Sequence, residues 1–599
     1  MPHLTAGKSK PDYDVIVVGS GAAGGQTAYT LAMDGVKVLM LEAGRNYDPI
    51  AETPMFNTHE HAPLRAVPTP DKPLGYFDAT VNGGWQIPGE PYTNASSLPG
   101  REFKWWRPRM LGGRTNHWGR IALRNGPYDF KPYSRDGLGF DWPITYEEIA
   151  PYYDKVESLI GVYGTNENME NTPNSPEGVL LRPPKARASE LLMHKAAGRL
   201  GIPVVPVHRA VLSERLNSKK IPQWLHPHNP KAATILAAEM DRRLACFWAT
   251  PCNRGCSIKA TYQSTTVHLP PALATGNLDI ITDAMVRSVS VDANGRVTGV
   301  NFIDKSTGQD YIIKGRIVVL AAGAMESVRI LLNSRSARHG AGLGNSSGLL
   351  GKYIMDTVGA ELRGKIPALE NLPPHNEDGA GGAHVYVPWW LYQEQAAGKL
   401  DFPRGYHIET AGSRREPTVG TFENLERLSG VGYGRRLKKE ARRYYGSTVA
   451  YGGRGEMIPN QNCFTELDPQ VRDRWGIPVL RFHWQWSEYE FRQAAHMQRT
   501  FAEIITTMGG SYDNLDPTGK KAIEDGGRVI HEVGGAIMGA DPKKSVTNAH
   551  SQCWDAPNIY ITDGASFCSN SDKNPTLTIM ALAWRAADHM MSEMKKGNL

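Results

Sequence analysis

Residues 13–42 read YDVIVVGSGAAGGQTAYTLAMDGVKVLMLE, and the fold follows from them. Tyr13–Val18 is an apolar, β-branched run, the pattern of a central parallel strand buried on both faces. Gly19, Gly21 and Gly24 follow in G-x-G-x-x-G spacing, Gln26–Asp34 predicts a helix, and Val36–Leu41 predicts a second buried strand closed by Glu42. Gly19 permits a tight turn, Gly21 lets the backbone approach a pyrophosphate, and Gly24 lets helix and strand pack closely. The helix N-terminus offers free N–H groups and the positive end of its dipole to phosphates. Glu42, eighteen residues after Gly24, can accept a hydrogen bond from a ribose 2′-OH and would repel a 2′-phosphate. A glycine triplet alone is weak evidence. Strand, helix, second strand and terminal acid together point to an ADP-containing dinucleotide rather than a chance glycine-rich turn.

A chain of 599 residues is too long for one simple core, so two or more lobes are expected. Its 40% hydrophobic and 21% charged content is ordinary for a globular enzyme. A net charge of +6 is small for this size and gives no argument for nucleic acid. The densest basic run (Arg435, Arg436, Lys438, Lys439, Arg442, Arg443) is expected to form a solvated helix face, a phosphate or partner patch being the lesser reading. No stretch reaches the ~18 consecutive apolar residues of a membrane span, so none is expected. The start, MPHLTAGKSKPDYDV, has no apolar core, and no signal peptide is expected in it. Six cysteines cannot make a disulfide scaffold of this size; Cys246, Cys252 and Cys256 cluster, which points to metal rather than crosslinks.

From about Asp48 to Arg101 the sequence is rich in Pro, Gly and Asn without periodicity, and a long excursion over the surface or the cofactor is expected. Residues 142–162 and 188–200 predict amphipathic helices. Around 280–320 three strand-like runs, ITDAMVRSVSV, VTGVNFI and YIIKGRIVVLAAG, are separated by turns at Asn294-Gly295, a strong hairpin signal, and at Thr307-Gly308. The last run leads into a helix, MESVRILLNS. Residues 360–515, with aromatic segments such as PVLRFHWQWSEYEF, read as a separate lobe, and the end, TLTIMALAWRAADHMM, as buried helix.

Together the N-terminal fingerprint, VVLAAGAMESVRILLNS, and HEVGGAIMG with DGASFCSNSDKNPTLTIMALA resemble the glucose–methanol–choline (GMC) oxidoreductases, in the family's order and over essentially the whole chain. The resemblance implies an α/β fold: a Rossmann-like FAD-binding domain from 1–129, 241–345 and 516–599, and an α+β substrate domain on an antiparallel sheet from 130–240 and 346–515. It implies FAD rather than NAD, since the fingerprint alone fits both. The implied FAD contacts are Gly19, Gly21, Ala22, Ala23, Gly24, Glu42 and Ala43, then Gly112, Gly113, Asn116 and His117, then Val286 at the adenine end. Ala322, Gly323, Asp563, Gly564, Asn574, Pro575 and Thr576 complete the set.

By resemblance His531 is the active-site base and Asn574 its partner, a position that is His in other branches. The chemistry agrees: an imidazole suits removal of a hydroxyl proton while hydride leaves the carbon for flavin N5, and a neutral amide can hold that hydroxyl without competing for the proton. LGGRTNHWGR (Leu111–Arg120) resembles the loop that passes the flavin ring, and in pyranose oxidases the histidine at the place of His117 is bonded covalently to the flavin. The other reading is a tight Gly-Gly turn anchored by Trp118. Cys246-x5-Cys252-x3-Cys256 resembles the segment of gluconate, fructose and glucose dehydrogenase large subunits that binds a [3Fe–4S] cluster, although its first spacing, Arg254 and Ser257 depart from that pattern. Zinc and free thiols remain open alternatives, with no fourth zinc ligand obvious nearby. Glu456 and His483 are candidate sugar-binding residues.

The combination implies an FAD-dependent catalytic subunit of a sugar or glycoside dehydrogenase, similar to glucoside 3-dehydrogenases. Such subunits are exported with a small subunit carrying a twin-arginine signal and deliver electrons to a cytochrome-type acceptor, which implies the periplasm, the cytoplasm being the alternative. An oxygen-using, pyranose-oxidase-like enzyme and a non-catalytic flavin-binding subunit are the competing readings.

Overall fold

A computed structural model of the chain describes residues 3–8, 13–53, 62–72, 82–98, 100–248, 252–372, 383–412 and 421–599. Much of the Pro/Gly-rich stretch after Asp48, namely 54–61, 73–81 and 99, lies outside the described residues.

The structure is mixed α/β, and its first layer is a parallel sheet. Val15–Val18 lies at the centre of five strands, between Val38–Leu41 and Ile317–Leu320, with Leu278–Ile281 and Ile559–Ile561 at the edges. The residues of the three central strands are all buried, as unbroken apolar runs require. The first helix spans Ala22–Met33, four residues earlier than its periodicity predicted. It begins inside the glycine motif because Gly24 packs on the turn: a Cβ there would sit 1.9 Å from the Gly19 carbonyl oxygen. The helix Thr576–Lys595 packs alongside it, and Tyr146–Ile160 packs on that helix in turn, joined to it by a 2.8 Å hydrogen bond between Tyr153 and Thr578.

Two predicted strands are divided between sheets. ITDAMVRSVSV leaves the parallel sheet at Ile281, turns at Asp283 (φ 56°), and re-enters as Ala284–Val291 in a three-stranded antiparallel sheet with Val297–Asp304 and Asp310–Lys314. YIIKGRIVVL likewise divides at Gly315, the second half joining the parallel sheet. Both turns form where Asn294-Gly295 and Thr307-Gly308 predicted them, with Gly295 and Gly308 at φ 80° and 73°.

A six-stranded antiparallel sheet takes Ser511–Tyr512, Val358–Lys365, Thr448–Gly455, Tyr406–Ala411, Val385–Val387 and Val205–Pro206 in that order. One face packs on the helix Glu488–Thr507. Gly453 and Gly455 make this contact possible, since Cβ atoms there would lie 2.3 Å from Met497 Sδ and 1.9 Å from Gln493 Oε1. The basic run forms the helix Arg435–Tyr444, which buries Leu437, Ala441 and Tyr444 and leaves its charges outside. Among the described residues no helix is long and apolar enough to cross a membrane.

Candidate active site

The open face of the antiparallel sheet supplies half of the site. Strand alternation puts His407 and Glu409 on one face, and antiparallel register sets His407 opposite Arg454 and Glu409 opposite Gly452. Gly452 leaves room for the Arg454 side chain to fold back, and its Nη2 lies 3.3 Å from Glu409 Oε2. His407 Nε2 stands 3.4 Å from Glu409 Oε1. Burial alone would raise the Glu409 pKa, but Arg454, His407 and Asn574 hold it well below the usual carboxylate range.

His531 and Asn574 supply the other half. Asn574 Nδ2 donates to Glu409 Oε1 at 3.1 Å and to His531 Nε2 at 3.3 Å. A carboxylate only accepts, so Glu409 fixes which end of the amide faces it. Nε2 of His531 is therefore the lone-pair atom, and Nδ1 carries the proton toward Thr357 Oγ1, 3.1 Å away. Burial, with Arg454 nearby, lowers the His531 pKa to about 3, so the ring is neutral at ordinary pH. Oδ1 of Asn574 is buried and has no hydrogen-bond partner, an acceptor left over for a ligand.

The backbone here is held under strain. Ile530, β-branched, sits at φ 65°, a conformation such residues rarely adopt. Asp356 fixes the next peptide: its carboxyl accepts the N–H of His531 at 2.9 Å and of Val529 at 3.3 Å. That carboxyl is fully buried, and burial with the nearby Glu532 raises its pKa to about 7.

The glycine cradle is open where a cofactor needs it. A Cβ on Gly21 would meet nothing within 4 Å, whereas one on Gly19 would lie 2.4 Å from the Ala321 carbonyl oxygen. No side chain caps the helix starting with Ala22 and Ala23, so its first N–H groups face that opening. Glu42 is buried and accepts from Ser20 N at 3.1 Å, from the Ser20 hydroxyl and from Gly44 N at 2.7 Å; burial raises its pKa. Ser20 Oγ in turn accepts from Gly112 N, and Gly113 faces Gly21. Ala43 lies beside this group, its carbonyl taken by Lys305.

Asp563 joins the remaining predicted segments: its carboxylate accepts from Gly323 N at 3.0 Å, from Ser327 Oγ, and from Ala565 N at 3.0 Å beyond Gly564. Burial raises its pKa to about 6. Ala322 donates its N–H to the same Ser327. Pro575 and Thr576 open the terminal helix directly after Asn574. Val286 is buried in its strand opposite Phe302. Asn116 is buried and donates to the Leu111 carbonyl, and His117 Nε2 accepts from Trp106 Nε1 at 3.0 Å. The open Gly21 face, the uncapped helix and the buried acid together fit the ADP end of FAD.

The two sugar-binding candidates part company. Glu456 directly follows the strand Thr448–Gly455. It is buried, 3.1 Å from Arg135, and Asp129, Glu456 and Asp572 offer oxygens within 4.8 Å of one another. Lys573 already fills that cluster, 3.0 Å from Asp129 and 2.6 Å from Asp572. His483 is not brought to the pair. It stacks on Phe464, with ring centroids 3.9 Å apart, and Nε2 lies 3.0 Å from Glu466. Glu409, Arg454 and His407 were missed in the sequence. Charged residues at alternate positions of otherwise buried strands, as in YHIETA, are the signal that marks them.

The three cysteines come together at one loop. Cys252 and Cys256 are buried and Cys246 half-buried, with all three thiols free. Arg209 Nη2 lies 3.9 Å from Cys252 Sγ and 2.8 Å from the Gly119 carbonyl, so one guanidinium links this loop to Leu111–Arg120. Burial and the neighbouring Cys252 push the Cys246 thiol up to about 12. The three sulfurs are not all within 4.8 Å of one another, so they do not stand as a ready single-ion site. Three thiols on a loop, with cationic side chains beside them, fit a polynuclear iron–sulfur cluster.

Comparison with known proteins agrees along the chain. The GMC oxidoreductase family models match residues 13–363 (N-terminal part) and 459–583 (C-terminal part). The chain is 29% identical over 585 residues to 2-methyl-1,2-propanediol dehydrogenase of Mycolicibacterium austroafricanum, covering 96% of this chain and 95% of the relative. It is 28% identical to the fructose dehydrogenase large subunit of Gluconobacter japonicus, covering 98% of each. Formate oxidase from Aspergillus oryzae shares the fold, with a TM-score of 0.64 over 98% of this chain and all of that one at 12% identity. With its parallel nucleotide sheet, its glycine cradle and both ends matched, this chain belongs to the GMC oxidoreductases.

Proposed function

We propose that this chain is the FAD-dependent catalytic subunit of a sugar or glycoside dehydrogenase that oxidises a ring hydroxyl to a ketone, as glucoside 3-dehydrogenases do. The observation that carries it is the array of His531 Nε2, the Asn574 amide and the Glu409 carboxylate at 3.3 and 3.1 Å. Nε2, unprotonated, takes the hydroxyl proton when the substrate hydroxyl displaces the Asn574 N–H from its lone pair. The unpartnered Oδ1 of Asn574 accepts a hydrogen bond and orients the reacting carbon. Glu409, held ionised by Arg454, accepts from a neighbouring hydroxyl, so a polyhydroxylated substrate is bound at two points. FAD, when bound by Gly19, Gly21, Glu42 and the Gly112–Gly113 turn, supplies the hydride acceptor. Support for a polyol or sugar comes from the names of the diol and fructose dehydrogenases it resembles.

Cys246, Cys252 and Cys256 would hold a [3Fe–4S] cluster, which supplies a one-electron exit toward a cytochrome-type acceptor. A dehydrogenase acting with a small subunit in the periplasm follows from this reading, since the fructose dehydrogenase relative is itself a large subunit. The test is anaerobic addition of methyl β-glucoside, fructose or 2-methyl-1,2-propanediol to the purified flavoprotein. Bleaching of the flavin by the glycoside, and transfer to cytochrome c without hydrogen peroxide on admitting air, is the expected result. Bleaching by the small diol alone overturns the sugar assignment; rapid peroxide formation makes the protein an oxidase; no bleaching by any of them leaves the non-catalytic reading.

A further inference from the structure

Arg120, Arg209 and Arg243 are all buried. Arg209 reaches Cys252, the Arg120 carbonyl accepts from Ala210 N next to Arg209, and Arg243 reaches the carbonyl of Lys259, whose N–H donates to the Cys256 carbonyl at 3.3 Å. Arg120 donates to the carbonyls of Trp118, Thr115 and Asn116, the last at 2.9 Å. Arg243 donates to the carbonyls of Lys259, Leu159 and Ile160 at 3.2, 3.1 and 2.6 Å. Among the described residues neither forms an ion pair with Asp or Glu. Buried arginines elsewhere in the chain do: Arg124 with Asp154 at 2.7 Å, Arg329 with Asp473 at 2.7 Å, and Arg404 with Asp136 at 2.9 Å.

Carbonyl oxygens satisfy N–H donors but do not neutralise a guanidinium, which stays protonated in proteins. A buried charge without a counter-charge is costly to the folded state. Arg120 carries further costs: its backbone is at φ 63°, and Nε has no partner. Once deprotonated, Cys252 and Cys256 are the thiols that act on Arg120, against the like charge of Arg209, and Cys256 is the one that acts on Arg243. Arg209 reaches Cys252 directly. Two cations without carboxylate partners among the described residues, Arg120 and Arg243, thus lie with Arg209 beside the cysteine segment.

We propose that Arg120 and Arg243, with Arg209, are the buried counter-ions of the Cys246, Cys252 and Cys256 thiolates, and that their charge raises the reduction potential of the cluster those thiolates hold. The proposal rests on the iron–sulfur reading given above. Three thiolates make such a cluster anionic, and each added electron makes it more so. Fixed positive charge in a low-dielectric surrounding therefore stabilises the reduced form more than the oxidised one. These are positioning residues: they act on the cluster through charge, and none touches His531 or Asn574.

The experiment uses the FAD-loaded protein purified anaerobically as wild type, Arg120→Met, Arg243→Met, Arg120→Lys and Arg243→Lys. Iron and acid-labile sulfide are measured per FAD, and the cluster potential by redox titration followed by electron paramagnetic resonance. Arg243→Met is expected to keep its FAD and its substrate-driven flavin bleaching, and both Met variants are expected to lose part of their iron and to shift the cluster to a more negative potential. The Lys variants, which keep the charge and lose the guanidinium fork, are expected to stay at the wild-type potential. Iron-replete Met variants at wild-type potential overturn the proposal and leave the cluster reading standing. Where a Met variant fails to retain FAD, its Lys counterpart decides: a potential shifted from wild type assigns the arginine to hydrogen bonding and overturns the proposal. A wild-type protein free of iron and sulfide overturns both readings.

Discussion

Asn574 donates its amide N–H to Nε2 of His531 across 3.3 Å, and that contact sets the protonation state of the site. With Nε2 accepting, the ring proton lies on Nδ1 beside Thr357, and the base is ready without any prior proton loss. The amide holds this orientation because its other N–H is claimed by Glu409.

Replacing His531 by Ala is expected to slow substrate-driven flavin reduction by roughly 10²–10⁴-fold, the usual contribution of a general base. FAD should remain bound, because the cradle around Gly21 is built from other segments. Stopped-flow absorbance gives the rate; reduction at near wild-type speed would move the base elsewhere.

Glu409→Gln removes the one partner that can only accept. The Asn574 amide is then free to turn, and Arg454 loses its counter-charge. The expected loss in kcat/KM is about 10- to 100-fold, the scale of a charged hydrogen bond worth ~1.5–3 kcal/mol. The loss should be larger for a glycoside than for a simple mono-alcohol. Equal losses on the two substrates would remove Glu409 from substrate binding.

Asp356 gives the protein a pH signature. Its folded pKa, raised to about 7, lies above the ordinary ~3.9 of an unfolded aspartate, so between these values the folded state binds more protons. Its contribution is fully present below about pH 4 and is lost as pH rises through about 7. The melting temperature of the wild type, measured relative to Asp356→Asn, should therefore decline between about pH 4 and 7 and level off above. A difference that stays flat across that range would contradict the assignment.

Gly21 and Gly24 should behave oppositely. Gly24→Ala drives a Cβ to 1.9 Å from the Gly19 carbonyl oxygen, an overpacking that costs ~1–3 kcal/mol or more. Gly21→Ala places its Cβ in open space, so the fold should keep its melting temperature while FAD affinity falls by tenfold or more, ~1.4 kcal/mol. Thermal unfolding of the apoprotein and FAD titration separate the two; loss of stability in Gly21→Ala would mean the opening is packed.

Cys252→Ser should leave flavin bleaching by substrate intact and abolish transfer to cytochrome c. Cytochrome reduction at the full rate in this variant would dismiss the cysteines as an electron exit.

Local patterns in the sequence carry the nucleotide half of this protein. A strand buried on both faces must be apolar throughout, and Gly19 and Gly24 stand where any Cβ would strike backbone. These constraints act over a few residues, so they can be read without the fold. The breaks at Asp283 and Gly315 were not legible, because a run of alternating apolar residues looks the same whether it stays in one sheet or passes between two. His531 and Asn574 could be named from their motifs, but the protonation of Nε2 could not. That depends on Glu409, which reaches them only through the strand register that sets His407 opposite Arg454 and lets Arg454 fold over Gly452. The arginines around the cysteines follow the same logic. Arg120 and Arg243 are unremarkable basic residues in the chain, and only burial without carboxylate partners among the described residues gives their charge a meaning. Sequence by itself determined where the backbone must turn and which faces are apolar, since sterics and hydrophobic periodicity are local. Tertiary structure decided which charges meet, since Coulomb interactions depend on separation and burial that chain order does not encode.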